Sequence, residues 1–433
     1  MKFLLLMLLS LSAANASSTY NVHEWGTFTS LVGSDGTRQE GMFHEDEVLP
    51  SFVHNFGEQL PRLGLMAFAT LPTFPPLQRL LPTPTPTPTP PPHRNCGQHS
   101  KVGCDFLEGQ SITQKMETPV LYFHSDVPLR VTVDVGFPTG IISQTYPAPV
   151  LSRPLANPGV SLTSGFARFN VEVLTKTELM PPVVERGNIY AHARAVDANT
   201  IKSNNEVEKF IFYRGLGKFE TKLLITSHNG NISVKNNTLN ISKNFIPRAF
   251  LVDTNEFGGA ILSIGSFVGG KIKHISDKDI QSLKNHHQEF SIFAASAKAL
   301  LTKSLVSEGL NLDEALAMVN TWEHGYFRTP GLRVLYILNR DEVENILPMT
   351  ITPAPQVLNR VFVGRIEVLR DVEENQILAQ ILLEKESFNV MSLGRFAPSI
   401  ISRVYQVAKE RGLVDFKLQS LFDQFNFSIA ENM

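Results

Sequence analysis

The sequence predicts an α+β protein: a β-sandwich-like domain over residues 17–273, followed by a mixed, mainly helical domain over 274–433. Three observations carry that prediction. Between Tyr20 and Val268 the apolar residues come in short runs broken by Gly, Pro and Asn, with no helical period between them, which is the pattern of a layered β-protein. Near Asp277 the apolar spacing changes to that of amphipathic helices. The chain is rich in Phe (29 residues) and only 18% charged, a composition that favours packed β-structure over disorder.

The chain opens with an export signature. Lys2 precedes a leucine-rich run from Phe3 to Leu11, and Ala14-Asn15-Ala16 supplies small residues at the expected cleavage point. The run is too short to span a bilayer, which takes about 20 residues. Residues 1–16 are therefore expected to be removed, leaving a periplasmic or secreted protein that starts near Ser17. No transmembrane segment is expected after cleavage, because the longest apolar candidate, Ala260 to Val268, is interrupted by Gly265 and Ser266. Lys plus Arg (39) nearly balances Asp plus Glu (41), so no overall field draws the chain to nucleic acid or to an acidic membrane.

The β-region begins with Tyr20 to Leu31, a β-prone run containing Gly26. Glu117–His124 and Leu129–Val135 are expected to form a hairpin turned at Ser125-Asp126-Val127-Pro128. Phe166–Leu174 alternates as a half-buried strand, Lys209–Tyr213 is another, and Asn229-Gly230 is expected to turn a hairpin between Lys222–Ser227 and Asn231–Val234. Ala249–Val252 and Ala260–Val268 complete it. The helical region is expected to start with one helix over Asp279–Glu308. A second starts at Asn311, with Glu314 three residues on as a capping box. Leu332–Leu338 and Val361–Val368 are strands with a short helix over Asp341–Leu347 between them. Helices over Asp371–Lys385, Ala397–Arg411 and Phe416–Phe425 finish the chain.

Residues 72–110 are expected to be a loop. Alternating Pro and Thr from Pro82 to Pro92 specify an extended, solvated polyproline rod, read as an insertion. Cys96 and Cys104, with Gly97 and Gly103 between them, are expected to form a disulfide in an oxidising compartment. The rival is zinc held by His93, Cys96, His99 and Cys104, but that spacing matches no common structural zinc pattern.

Several motifs resemble a family of uncharacterised exported bacterial proteins: Val22-His-Glu-Trp-Gly-Thr-Phe-Thr-Ser30, Lys115-Met-Glu-Thr-Pro-Val-Leu-Tyr122, Phe212-Tyr-Arg-Gly-Leu-Gly217, Leu347-Pro-Met-Thr-Ile-Thr-Pro-Ala-Pro355 and Val363-Gly-Arg-Ile-Glu367. The resemblance covers most of the mature chain and excludes the Pro-Thr tract. It implies export and no known activity, cofactor or catalytic residue.

The chemistry is then argued from charged groups set among apolar neighbours. His23 and Glu24 precede Trp25, Lys115 and Glu117 precede Pro119, and Tyr213 and Arg214 end an apolar strand. If these ends converge, Glu24 or Glu117 could act as general acid or base and His23 as a proton carrier or metal ligand. Lys115, Tyr213 and Arg214 would then bind ligand, Arg214 through its planar fork. The competing reading makes Arg214 a strut that pairs with Glu117 or Glu24. His44-Glu-Asp-Glu47 with His54 reads as a solvated loop, and His124-Ser-Asp126 as ordinary turn residues. Gly-x-Ser-x-Gly, His-Glu-x-x-His, and the phosphate-binding and dinucleotide glycine patterns are missing. No metal site or cofactor is assigned on this basis, and whether the protein is an enzyme stays open. The favoured function is an exported cell-envelope module that binds a glycan, peptide or protein partner. The alternative is a periplasmic hydrolase using His23, Glu24, Glu117 and Arg214, with or without a metal.

Overall fold

A computed structural model describes residues 20–42, 44, 48–56, 111–153, 164–175, 179–238 and 245–432. The export segment, the Pro-Thr tract, Cys96 and Cys104 lie outside the described residues. Strand and helix are mixed along the chain. Among the described residues there are three sheets, of ten, six and three strands.

The ten-stranded sheet holds the site. Its order is Gln288–Glu289, Gly258–Phe267, Ile246–Thr254, Gly331–Ile337, Val357–Val368, Tyr20–Val32, Gln114–Ser125, Ile211–Gly217, Gly140–Tyr146 and His54–Asn55. Tyr20–Val32 lies near its middle and is buried almost throughout. It runs parallel to Val357–Val368 and antiparallel to Gln114–Ser125. Thus the sheet passes through the boundary expected at 273/274, with two C-terminal strands between Tyr20–Val32 and Ile246–Thr254.

Both faces of this sheet are covered. On one, Val22, Phe28, Leu121 and Phe362 pack with Val131, Val133 and Phe169 of the six-stranded sheet and Ile225 and Val234 of the three-stranded one. On the other, Trp25, Val120, Tyr122 and Val363 pack under helices Phe290–Ser307 and Leu312–Thr321, through Phe293, Leu301, Met318 and Val319. Helices Asp371–Glu384, Ala397–Glu410 and Phe416–Asn432 form a separate core around Ile381, Ile401, Val404 and Phe422. Among the described residues no helix is long and apolar enough to cross a membrane.

Local signals are met where they were strongest. Leu223–His228 and Asn231–Asn236 pair as a hairpin around Asn229-Gly230, both at positive φ (51° and 76°), as a tight primed turn requires. The capping box expected at Asn311 is formed, with Glu314 Oε2 accepting the Asn311 N–H at 2.7 Å. The expected long helix is divided, however. Gln288–Glu289 leaves the helical path to pair with Gly258 and Gly259 at the sheet edge, and the second helix starts at Phe290. The expected hairpin of 117–124 with 129–135 does not form either. Gln114–Ser125 is buried on both faces and takes Tyr20–Val32 and Ile211–Gly217 as neighbours, while Leu129–Phe137 joins the six-stranded sheet beside Gly165–Val173.

One irregularity sets the site's geometry. The register of Gln114–Ser125 shifts against both neighbours, and Thr118 has φ 49°. A bulge inserts one residue and reverses the alternation of faces beyond it. Lys115 and Glu117 before it therefore share a face with Val120, Tyr122 and His124 after it.

Candidate functional site

The charged residues singled out in the sequence fall into three clusters, one within the sheet–sheet core and two on the helix-covered face. His23 and Glu24 are neighbours in an extended strand, so their side chains leave opposite faces. Glu24 enters the sheet–sheet core, whereas His23 lies on the helix-covered face.

Glu24 has 0% exposure. Arg360 Nε donates to its Oε2 at 2.5 Å, and the Tyr213 hydroxyl donates to its Oε1. Arg360 Nη1 also donates to the Leu347 carbonyl at 2.6 Å. Burial works against the Arg360 charge, but the adjoining Glu24 carboxylate more than restores it and holds Arg360 above its usual value. The expected pairing of Glu24 with Arg214 is thus replaced by one with Arg360. Arg214 instead grips the Thr118 hydroxyl at the bulge, through Nε at 3.0 Å and Nη2 at 2.9 Å.

Glu117, also at 0% exposure, sits across the sheet. Arg395 Nη2 lies 3.0 Å from Oε1, Lys115 Nζ lies 3.5 Å from it, and Thr29 Oγ1 donates to Oε2 at 3.0 Å. Beside it, Arg333 and Arg365 both donate from Nε to Glu367 Oε1, at 2.9 and 2.6 Å. The Phe396 ring lies 5.0 Å from the Arg395 guanidinium and 5.4 Å from that of Arg365. A cleft of ≈ 500 Å³ opens next to this cluster. Glu367, Leu393, Arg395 and Phe396 line it, together with the Asp253–His287 pair, 2.7 Å apart.

The third cluster joins His23 to two residues to which the sequence gave only local roles, His124 in a turn and Glu314 in a helix cap. His23 Nδ1 lies 2.9 Å from Glu314 Oε2 and 3.1 Å from Oε1, and His124 Nε2 lies 2.8 Å from Oε1. Glu314 reaches this place through its own helix cap: its Oε2 accepts the Asn311 N–H at 2.7 Å. Burial alone would raise the Glu314 carboxyl, but hydrogen bonds from His124 and His23, with the His23 charge, bring it down to about 2. The three ligand-type atoms all lie within 4.8 Å of one another, and this is the one such group of three or more among the described residues.

Lys115 with Glu117, and Tyr213 with Glu24, are therefore brought together, but His23, Glu24 and Glu117 do not share a site. His54, read as a solvated loop residue, pairs with Glu206 at 2.5 Å. The residues missed were His124, Glu314, Arg360, Arg395 and the Arg365–Glu367 pair. One signal pointed to the last pair: two charges alternating within the apolar strand Val361-Phe-Val-Gly-Arg-Ile-Glu-Val368, which needs internal partners. Arg360 and Arg395 had no such signal. No protein-family model matches the chain, and comparison with curated proteins gives no match.

Proposed function

We propose that this is an exported cell-envelope binding module, with a sandwich-like β-body, that takes a peptide segment of a partner into the cleft beside Arg395 and Phe396. The observation that carries this reading is the state of the two expected catalytic carboxylates. Glu24 and Glu117 have no exposed surface and are both held by arginines of the C-terminal half. A general acid or base must come within hydrogen-bond reach of substrate, and these two act as struts. The hydrolase reading accordingly has less support.

The cleft suits a peptide because its lining mixes charges of both signs with Leu31, Leu332, Leu393 and Phe396. Pockets that orient a ligand combine an apolar wall with a few fixed polar groups. The test is to present the mature protein to a soluble peptide library and to a glycan array. A peptide should be retained by the native chain and lost in Ser392→Trp, which fills the cleft from an exposed position without touching either ion pair. Retention of glycans alone, or unchanged peptide binding in Ser392→Trp, would refute the assignment. Turnover of a substrate abolished by Glu117→Gln at unchanged stability would establish the hydrolase.

A further inference from the structure

We propose that His23, His124 and Glu314 together bind one divalent transition-metal ion of the zinc class, independently of the cleft. Two imidazoles and one carboxylate are a donor set suited to zinc and its neighbours, and three protein ligands leave at least one coordination position for water or another ligand.

The three side chains come from elements that hold them firmly. His23 and His124 stand on adjacent central strands, on the same face because of the Thr118 bulge. Glu314 stands on the first turn of helix Leu312–Thr321, which packs against that face. The imidazole rings lie 5.0 Å apart at 58°, so their nitrogens converge on the carboxylate without stacking. Glu314 Oε2 is already taken by the Asn311 N–H, while Oε1 lies within 3.1 Å of His23 Nδ1 and 2.8 Å of His124 Nε2. Oε1 is thus the carboxylate ligand, and the capping bond orients it from behind. Partners of this kind fix ligand orientation in metal sites.

Ligand bonds to zinc run about 2.0–2.2 Å, so three donors around one ion sit a little over 3 Å apart. The two histidine–carboxylate separations, 3.1 and 2.8 Å, are close to that, and all three donors lie within 4.8 Å of one another, so the imidazole nitrogens draw closer together as the ion enters. Without the ion, both imidazoles donate N–H to the carboxylate. With it, His23 Nδ1 and His124 Nε2 both face the ion as unprotonated nitrogens. His124 is half-buried, with a side-chain exposure of 21%, and gives the ion its route from solvent.

The experiment uses the full mature chain, stripped with chelator and titrated with Zn²⁺ and then Co²⁺. One equivalent should bind, raising the melting temperature. The cobalt form should show visible d–d bands without a thiolate charge-transfer band. His124→Ala, a change at a partly exposed side chain, should weaken binding on the order of 100-fold or more, since loss of groups outside the ligand set already costs about 10–100-fold. Cys96→Ser with Cys104→Ser should leave binding unchanged. No stoichiometric uptake, uptake unaffected by His124→Ala, or uptake lost with the cysteines would each overturn the proposal. Should Glu314→Gln fail to fold, the His124 variant still decides between the outcomes.

Discussion

At the scale of single residues, the buried charges of the large sheet behave as matched partners. Arg360→Leu leaves the Glu24 carboxylate inside the core with only Tyr213 to meet it. Removing one partner of a buried pair typically costs about 3–5 kcal/mol. Urea unfolding should show a loss of that order, and adding Glu24→Gln should recover part of it. Glu342 offers a prediction of opposite sign. Its Oε1 accepts the Lys222 N–H at 2.9 Å, but its Oε2 is buried without a hydrogen-bond partner. Burial raises its carboxyl above the ordinary carboxylate value, against weaker help from Lys222 and Arg38. An acid whose folded value is raised favours the folded state most while it is protonated. Its contribution is complete below the unfolded value, about 4.3, and is lost as pH rises through the raised folded value. Glu342→Gln should therefore be more stable than the native chain at pH 7, with the difference shrinking towards pH 4. Equal unfolding midpoints at both pH values would contradict this.

At the scale of elements, the central strand depends on close approach between neighbours. A Cβ on Gly26 would come within 2.6 Å of the Phe362 ring on the adjoining strand, and that ring stacks on Phe28 at 5.1 Å. Gly26→Ala should thus overpack the interface and cost about 1–3 kcal/mol, while Phe362→Leu in the same chain should recover some of it. The measurement is the urea midpoint of the single and double variants. The Thr118 bulge belongs to the same scale. Without it Tyr122 and His124 would face the sheet–sheet core, and neither the histidine cluster nor the packing of Trp25 against Tyr122 could form. Glycine at 26 was visible in the sequence as an interruption of a strand; the bulge was not, because Thr is an unusual residue at positive φ.

At the scale of the whole molecule, the two halves of the chain complete one sheet. Gly331–Ile337 and Val357–Val368 lie between Tyr20–Val32 and Ile246–Thr254, and Arg360 and Arg395 neutralise Glu24 and Glu117, two fully buried carboxylates of the N-terminal half. A chain ending at 273 would expose the edge of Tyr20–Val32 and leave Glu24 and Glu117 without these arginines. Unpaired central edges and uncompensated buried charge both oppose folding. That truncated chain should show no cooperative urea transition and little near-ultraviolet dichroism. A sharp transition close to that of the full chain would mean that 17–273 folds by itself.

The sequence by itself determined the features whose causes lie within a few residues: the Asn229-Gly230 turn, the cap at Asn311, the positions of most strands and helices, and the presence of charges inside apolar strands. Tertiary structure alone decided which charge meets which. Glu24 finds Arg360 at a separation of 336 residues, Glu117 finds Arg395 at 278, and His23 finds Glu314 at 291. Nothing in the local pattern around His23 or Glu24 encodes these partners, because strand alternation states only that the two point to opposite faces. What stands on each face is set by strand order and by the helices that cover it. Gln114–Ser125 makes the same point. Its run of apolar residues declared a strand, but its neighbours were selected by burial of both faces, which drew it to the centre of the large sheet and sent Leu129–Phe137 to another.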